Sequence, residues 1–160
     1  MNFSATRKIR GFRNSFPRCF KMQYQVKLFH ALHPDSAEIR KTVFMQEQGF
    51  QQEFDEIDSR AVHAVVYDGD RPIATGRLFT EQPGCYVIGR VAVLPDYRGK
   101  HVGNAVVQAL EAWAKERGGK LVSLSAQCRA SGFYEKLGYQ KTNDTHMDEF
   151  CPHVTMEKKL

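Results

Sequence analysis

Alternation of apolar and polar residues from Tyr24 to Phe29 predicts a first strand, which the run His33-Pro34-Asp35-Ser36 breaks. Asp35 reads as the N-cap of a helix with Glu38 as its capping-box partner; Ile39, Val43 and Phe44 recur at helical spacing, and Gly49 ends the helix. The acidic, Gln-rich link from Gln51 to Asp58 reads as loop or a short helical turn. Three strand signals follow, Val62 to Tyr67, Ile73 to Phe79 and Cys85 to Leu94, separated by turns at Asp68-Gly69-Asp70 and Glu81-Gln82-Pro83-Gly84, which describes an antiparallel meander. Val102, Ala105, Val106, Ala109, Leu110 and Trp113 mark one face of a second helix, stopped by Gly118-Gly119, and Leu121 to Ala126 reads as a buried strand. A short helix from Arg129 to Leu137 ends at Gly138, and Tyr139 to Lys141 and Val154 to Glu157 supply closing strands. The order β, α, β, β, β, α, β, α, β, β predicts an α/β fold of mixed α+β type. One mixed sheet holds the antiparallel meander and a parallel pair joined by the β-α-β step, with helices on both faces.

At 160 residues the chain suits one domain with one core, and no apolar run approaches the roughly 20 residues that a membrane span requires. The net charge of +5 is unevenly placed: Arg7, Lys8, Arg10, Arg13, Arg18 and Lys21 stand in the first 21 residues without an acid, so the remainder is slightly negative. A nucleic-acid-binding domain would spread such charge over a folded face, so that class is disfavoured. Residues 1–22 read as a basic N-terminal extension and 23–160 as the functional domain; a solvated arm, an upstream extension ahead of Met22 and an Arg-rich transit peptide compete for the extension. Cys19, Cys85, Cys128 and Cys151 show no CxxC pairing, which points to a reducing, cytoplasmic setting, with Cys128 read as a small buried thiol rather than a nucleophile.

The junction Arg98-Gly99-Lys100-His101-Val102-Gly103 joins a buried strand to a helix start. Helix starts present unpaired N–H groups and the positive end of the macrodipole; glycine lets a ligand approach the backbone, and Arg98 and Lys100 add charge. The junction therefore reads as the pyrophosphate grip of a coenzyme.

Two segments, Val91-Ala92-Val93-Leu94-Pro95-Asp96-Tyr97-Arg98-Gly99-Lys100-His101-Val102-Gly103 and Gln127-Cys128-Arg129-Ala130-Ser131-Gly132-Phe133-Tyr134-Glu135-Lys136-Leu137-Gly138-Tyr139, in that order behind a β-meander, resemble the acetyl-CoA motif and the following CoA-side motif of GNAT N-acetyltransferases. Val43 to Gln48, the turn Glu56-Ile57-Asp58 and the end Pro152 to Glu157 resemble the bacterial YjcF/ElaA-type branch. The resemblance implies a GNAT-type sheet with a splayed parallel pair, acetyl-CoA as co-substrate and no metal. It also implies a small-molecule or protein amine as acceptor, and leaves a homodimer open. Two positions depart from the pattern: His101 stands where a glycine is usual, and Gln127 replaces a common asparagine while keeping an amide.

By the resemblance, Val91, Ala92 and Val93 offer a polarising N–H and pair with the pantetheine arm, Gly89 hinting at the bulge that frees them. Arg98, Gly99, Lys100, His101, Val102, Gly103 and Asn104 hold the diphosphate, Gln127 reaches the pantetheine, and Tyr134 protonates the departing sulfur and lines the coenzyme site. An alkyl ammonium must lose its proton before attack; Glu47, near the end of the first helix, is the first choice of base, with Glu53 and His63 behind it. His146, Asp148, Glu149 and His153 fit no common zinc spacing. The expected function is acetyl transfer to a primary amine by direct attack, the alternative being a non-catalytic acyl-CoA sensor.

Overall fold

The computed structural model describes residues 24–160, so the expectations for residues 1–22 lie outside the described residues. Its sheet has seven strands: β1 (Gln25–Phe29), β2 (Val62–Asp68), β3 (Arg71–Gln82), β4 (Cys85–Val93), β5 (Leu121–Gln127), β6 (Gln140–Asp148) and β7 (Cys151–Lys159), in the order β1-β2-β3-β4-β5-β7-β6. Only β4 and β5 run parallel; every other neighbouring pair is antiparallel. The mixed sheet, meander and parallel step follow the apolar pattern. The closing strands are much longer than predicted. β6 is an edge strand exposed along nearly its whole length, so it carries no alternation from which its extent could be read, and His146 and Asp148 lie on it rather than in a loop.

The first helix, α1 (Pro34–Arg40), continues into a π-helical stretch from Lys41 to Glu47, where the Gln48 N–H reaches the Val43 carbonyl at 3.2 Å. Asp35 is not its N-cap. Pro34, with its preset φ, takes the first position, and His33 caps through Nδ1, which accepts from the Asp35 N–H at 3.2 Å; the Asp35 carboxylate instead accepts from the Tyr67 hydroxyl of β2 at 2.6 Å. The link beyond holds one 3-10 turn, Glu56–Ser59.

Helix α2 (Val102–Glu116) lies on the opposite face with α3 (Ser131–Lys136), which a 3-10 turn, Cys128–Ala130, precedes. Val102, Val106, Val107, Leu110 and Ala114 of α2 are buried with Ala64, Val66, Ile73, Leu78, Ile88 and Met156 of the sheet, while α1 buries Ile39 against Val65, Tyr67 and Ala92 on the other side. At Gly76 a Cβ would stand 2.6 Å from a Val106 methyl, so the missing side chain lets α2 sit directly on β3. No helix among the described residues is long and apolar enough to cross a membrane.

Candidate active site

The parallel pair parts company midway. β4 and β5 are paired from Cys85↔Leu121 to Ile88↔Leu124 and no further, leaving the stretch from Gly89 to Val93 without a partner on that side. Against β3, Arg77 opposes Gly89 and Thr75 opposes Ala92, so Arg90 and Val91 stand opposite Gly76 alone; this is the bulge that Gly89 suggested, and its positive φ of 53° falls on Arg90. Two hollows open into the split. The larger, about 690 Å³, runs toward the start of α2, and the smaller, about 170 Å³, lies on the side of the link and β7. Gln48, Val91, Ala130 and Tyr134 border both, so the hollows meet there.

The larger hollow collects most of the residues expected to hold a coenzyme: Val91, Ala92 and Val93 along β4, Arg98, Gly99 and His101 in the turn, and Val102, Gly103 and Asn104 at the head of α2. None of the backbone N–H groups from Gly99 to Asn104 has a hydrogen-bond partner among the described residues, and no side chain caps the helix. Such a run of unpaired donors at the positive end of a 15-residue helix is an anion site. Its curl requires left-handed backbone at Gly99, φ 74°, and at His101, φ 59°, which explains why glycine suits position 101 and shows that histidine sustains the same turn with its side chain exposed. A Cβ on Gly103 would come within 3.0 Å of the Phe133 ring, so this glycine lets α2 and α3 approach at the hollow's wall.

Some expected contacts lie elsewhere. Lys100 does not line the hollow; its ammonium rests 5.3 Å from the Tyr97 ring centroid. Gln127 lines the smaller hollow, donating to the Gln48 side-chain oxygen at 2.8 Å and accepting from Arg129 Nε at 2.9 Å, because its longer arm bridges the mouth instead of facing the coenzyme side. Arg98 does border the larger hollow, but its guanidinium is forked onto Glu47 at 2.6 and 2.7 Å. That fork holds the Glu47 carboxyl below the ordinary glutamate range, and the side chain borders neither hollow of the split. Glu47 is therefore a poor proton acceptor as the structure stands, contrary to expectation. Cys128, expected to be buried, is exposed at the start of its 3-10 turn.

The floor of the smaller hollow is polar. Glu53 is buried and accepts from Arg40 Nε at 2.8 Å, with Arg90 Nε at 3.1 Å. Arg40 and Arg77 also converge on Asp58, at 2.6 and 2.8 Å, and Arg77 is forked onto Asp55. Burial raises the Glu53 pKa despite its arginines; at Asp58 burial acts the same way, but the bonds from Arg40 and Arg77 outweigh it and hold the carboxyl at about 2. His63, the other reserve base, is fully buried away from both hollows, its Nε2 on the Asp58 carbonyl at 3.0 Å and its pKa lowered by burial. Asp148 and His153 do line the smaller hollow. Of the four-residue cluster near the C-terminus, Glu149 is turned away, its carboxylate capping the N–H groups of Gln51 and Gln52 at 3.0 to 3.1 Å, while His146 stacks on His153 and pairs through Nε2 with Ser125 Oγ at 2.8 Å. Among the described residues, no group of three or more His, Cys, Asp or Glu is placed to hold a metal.

Tyr134 stands where the hollows meet, packed edge-on against Phe133 and Tyr139 at centroid distances of 4.9 and 5.9 Å. Its hydroxyl has no hydrogen-bond partner among the described residues, and burial pushes its pKa up, keeping it protonated. Gln48, Arg90 and Phe133 are site residues that periodicity could not mark. Their place comes from the π-helical turn, the bulge and the close approach at Gly103.

The family model described as acetyltransferase (GNAT) matches residues 22–139. The uncharacterized N-acetyltransferase YjcF of Bacillus subtilis is 35% identical over 127 residues, covering 78% of this chain and 90% of its own. A crystal structure of an N-acetyltransferase from Lactobacillus plantarum superposes with a TM-score of 0.76 at 31% identity, covering 84% of this chain and 98% of that one. That of Escherichia coli ElaA does so with a TM-score of 0.75 at 24% identity, covering 85% and 99%. With the splayed strands, the unpaired amides at the head of α2 and these likenesses together, the chain belongs to the GNAT acetyltransferase family and is an acyltransferase.

Proposed function

We propose that this enzyme moves the acetyl group of acetyl-CoA to a primary amine by direct attack, without a covalent intermediate. The observation that carries the reading is the meeting of two unequal hollows at Tyr134. The residues of the larger hollow fit the donor substrate. Unpaired amides from Gly99 to Asn104 suit its diphosphate, and the open β4 edge from Gly89 to Val93 suits its amide-bearing arm as an added strand. The smaller hollow, about 170 Å³, takes an amine head rather than a bulky core, and its Asp148 carboxylate suits a cation, Glu53 being ion-paired with Arg40 and Arg90.

In this arrangement the amine nitrogen enters from the smaller hollow and bonds to the acetyl carbon as the carbon–sulfur bond breaks. The Tyr134 hydroxyl gives its proton to the sulfur, and the proton shed by the nitrogen as the amide forms restores the tyrosine. An N–H on the bulged stretch of β4 is suited to polarise the carbonyl. The buried arginine–carboxylate network fixes Glu53 and the link around the acceptor side. Positioned proton transfer contributes about 10²- to 10⁴-fold. Tyr134→Phe is accordingly expected to lower turnover at least about 100-fold, measured as CoA release across an amine panel, with acetyl-CoA affinity by calorimetry unchanged within about twofold. Equal turnover in the variant would refute the role of the hydroxyl, and acetyl-CoA binding without CoA release in the wild type would favour a sensor.

A further inference from the structure

We infer that His153 is the group that takes the proton from the acceptor ammonium, an assignment that rests on the transfer reading above and completes it. His153 lies buried on β7 with its ring at the wall of the smaller hollow. Its Nδ1 is 3.0 Å from the Cys151 carbonyl oxygen. A carbonyl only accepts, so Nδ1 carries the hydrogen and the neutral ring keeps its lone pair on Nε2. Nε2 has no partner among the described residues. It is also not among their sealed unpaired atoms, which are His63 Nδ1 and Arg77 Nε. It is therefore an oriented, accessible proton acceptor on a wall of the hollow.

The three acceptors that the sequence singled out are engaged or misplaced, which leaves His153 and the exposed Asp148 carboxylate on the wall. Glu53 is occupied by Arg40 and Arg90, Glu47 by Arg98, and His63 faces neither hollow. The charged and titratable groups around His153 come from four directions. His146 of β6 stacks on it at a centroid distance of 5.8 Å and 21° between planes, and Asp148 of the same strand shares the wall. Glu53 and Arg90 line the hollow from the link and β4, and Tyr134 from α3; its register partner on β5, Gln127, is uncharged. The exposed His146 ring, bonded to the exposed Ser125, continues the polar face out to solvent.

The step balances. An N–H bond of the ammonium breaks with its electron pair left on nitrogen, an Nε2–H bond forms, and the proton passes to water. This is the one proton released when an ammonium and a thioester become an amide and a thiol.

The test uses the full chain, with n-propylamine, an ammonium at pH 7, and hydroxylamine, neutral at that pH, as acceptor probes. His153→Gln is expected to lower kcat/KM for n-propylamine about 100-fold at pH 7. The loss should narrow to about fivefold or less at pH 9.5, and be equally small for hydroxylamine at pH 7, because the base is then less needed. Equal losses for both probes at both pH values, or no loss, would overturn the assignment. Nitrogen-15 spectra of the wild-type imidazoles provide a check independent of the variant's folding: His153 is expected in the Nδ1–H form with an Nε2 signal that moves on adding n-propylamine. An Nε2–H form would overturn the assignment too. Wild-type protein that binds acetyl-CoA yet turns over neither probe would instead overturn the transfer reading.

Discussion

His101 holds a left-handed backbone, φ 59°, at the N-cap of α2 with no capping bond from its side chain. An L-residue other than glycine is disfavoured there by about 1 kcal/mol. His101→Gly should therefore leave acetyl-CoA affinity intact and raise Tm by about 2 °C, read by calorimetry and thermal melting. A fall in Tm would show that the imidazole makes a contribution which the backbone argument omits. Residue chemistry was unevenly legible in the sequence. Gly99, Val102, Gly103 and Tyr134 were singled out from local patterns, a strand-to-helix junction and a short motif, and all four line the larger hollow. Glu47 and Gln127 could not be placed from the sequence: the partner of each, Arg98 and Gln48, is remote in the chain and reached only through the tertiary fold. Cys128 misled for a similar reason, since exposure at a 3-10 turn depends on what packs beside it.

At the scale of elements, buried Arg40, Arg77, Glu53 and Asp58, with the partly buried Arg90 and the exposed Asp55 at their edge, fasten α1, the link, β3 and β4 together beside the smaller hollow. Asp58 is held at about 2, below its ordinary 3.8, so the stability it contributes is present above pH 4 and fades as pH falls through 2. Lowering pH from 5 to 2 should remove about 2 kcal/mol through this group, seen in urea unfolding. Glu53, raised by burial, acts with the opposite sign: its contribution is present below its ordinary value and lost as pH rises through its folded one. Asp58→Asn should cost about 3 kcal/mol at neutral pH and flatten the acid slope; an unchanged slope would locate the acid sensitivity elsewhere. Packing makes a second prediction. Gly76→Val, which drives a side chain into Val106, should destabilise by about 2 kcal/mol in the same assay, and a neutral result would mean that α2 can shift off β3. Elements with one apolar face were readable from their period. β6 was not, because an edge strand exposed on both sides has no such face, and neither was the π-helical end of α1, whose wider turn leaves no signature in residue type.

For the whole molecule, we propose that the sheet divides the labour: one seam, opened between β4 and β5 by a bulge, would be approached by the donor from the head of α2 and by the acceptor from the side of β7. The GNAT match spans residues 22–139 and the residues that line the two hollows lie between Val43 and His153, so we propose residues 23–160 as the functional unit. A chain starting at Met22 should retain acetyl-CoA affinity within about twofold, and a loss of more than tenfold would assign the basic N-terminal extension a part in binding. The most direct measurement is an amide NMR titration of the full chain with acetyl-CoA. Saturable shifts are expected, largest at Gly99 to Asn104 as unpaired N–H groups gain a diphosphate, with a second group along Gly89 to Val93. Saturation with those amides unmoved, or with the main shifts elsewhere, would contradict a diphosphate site there.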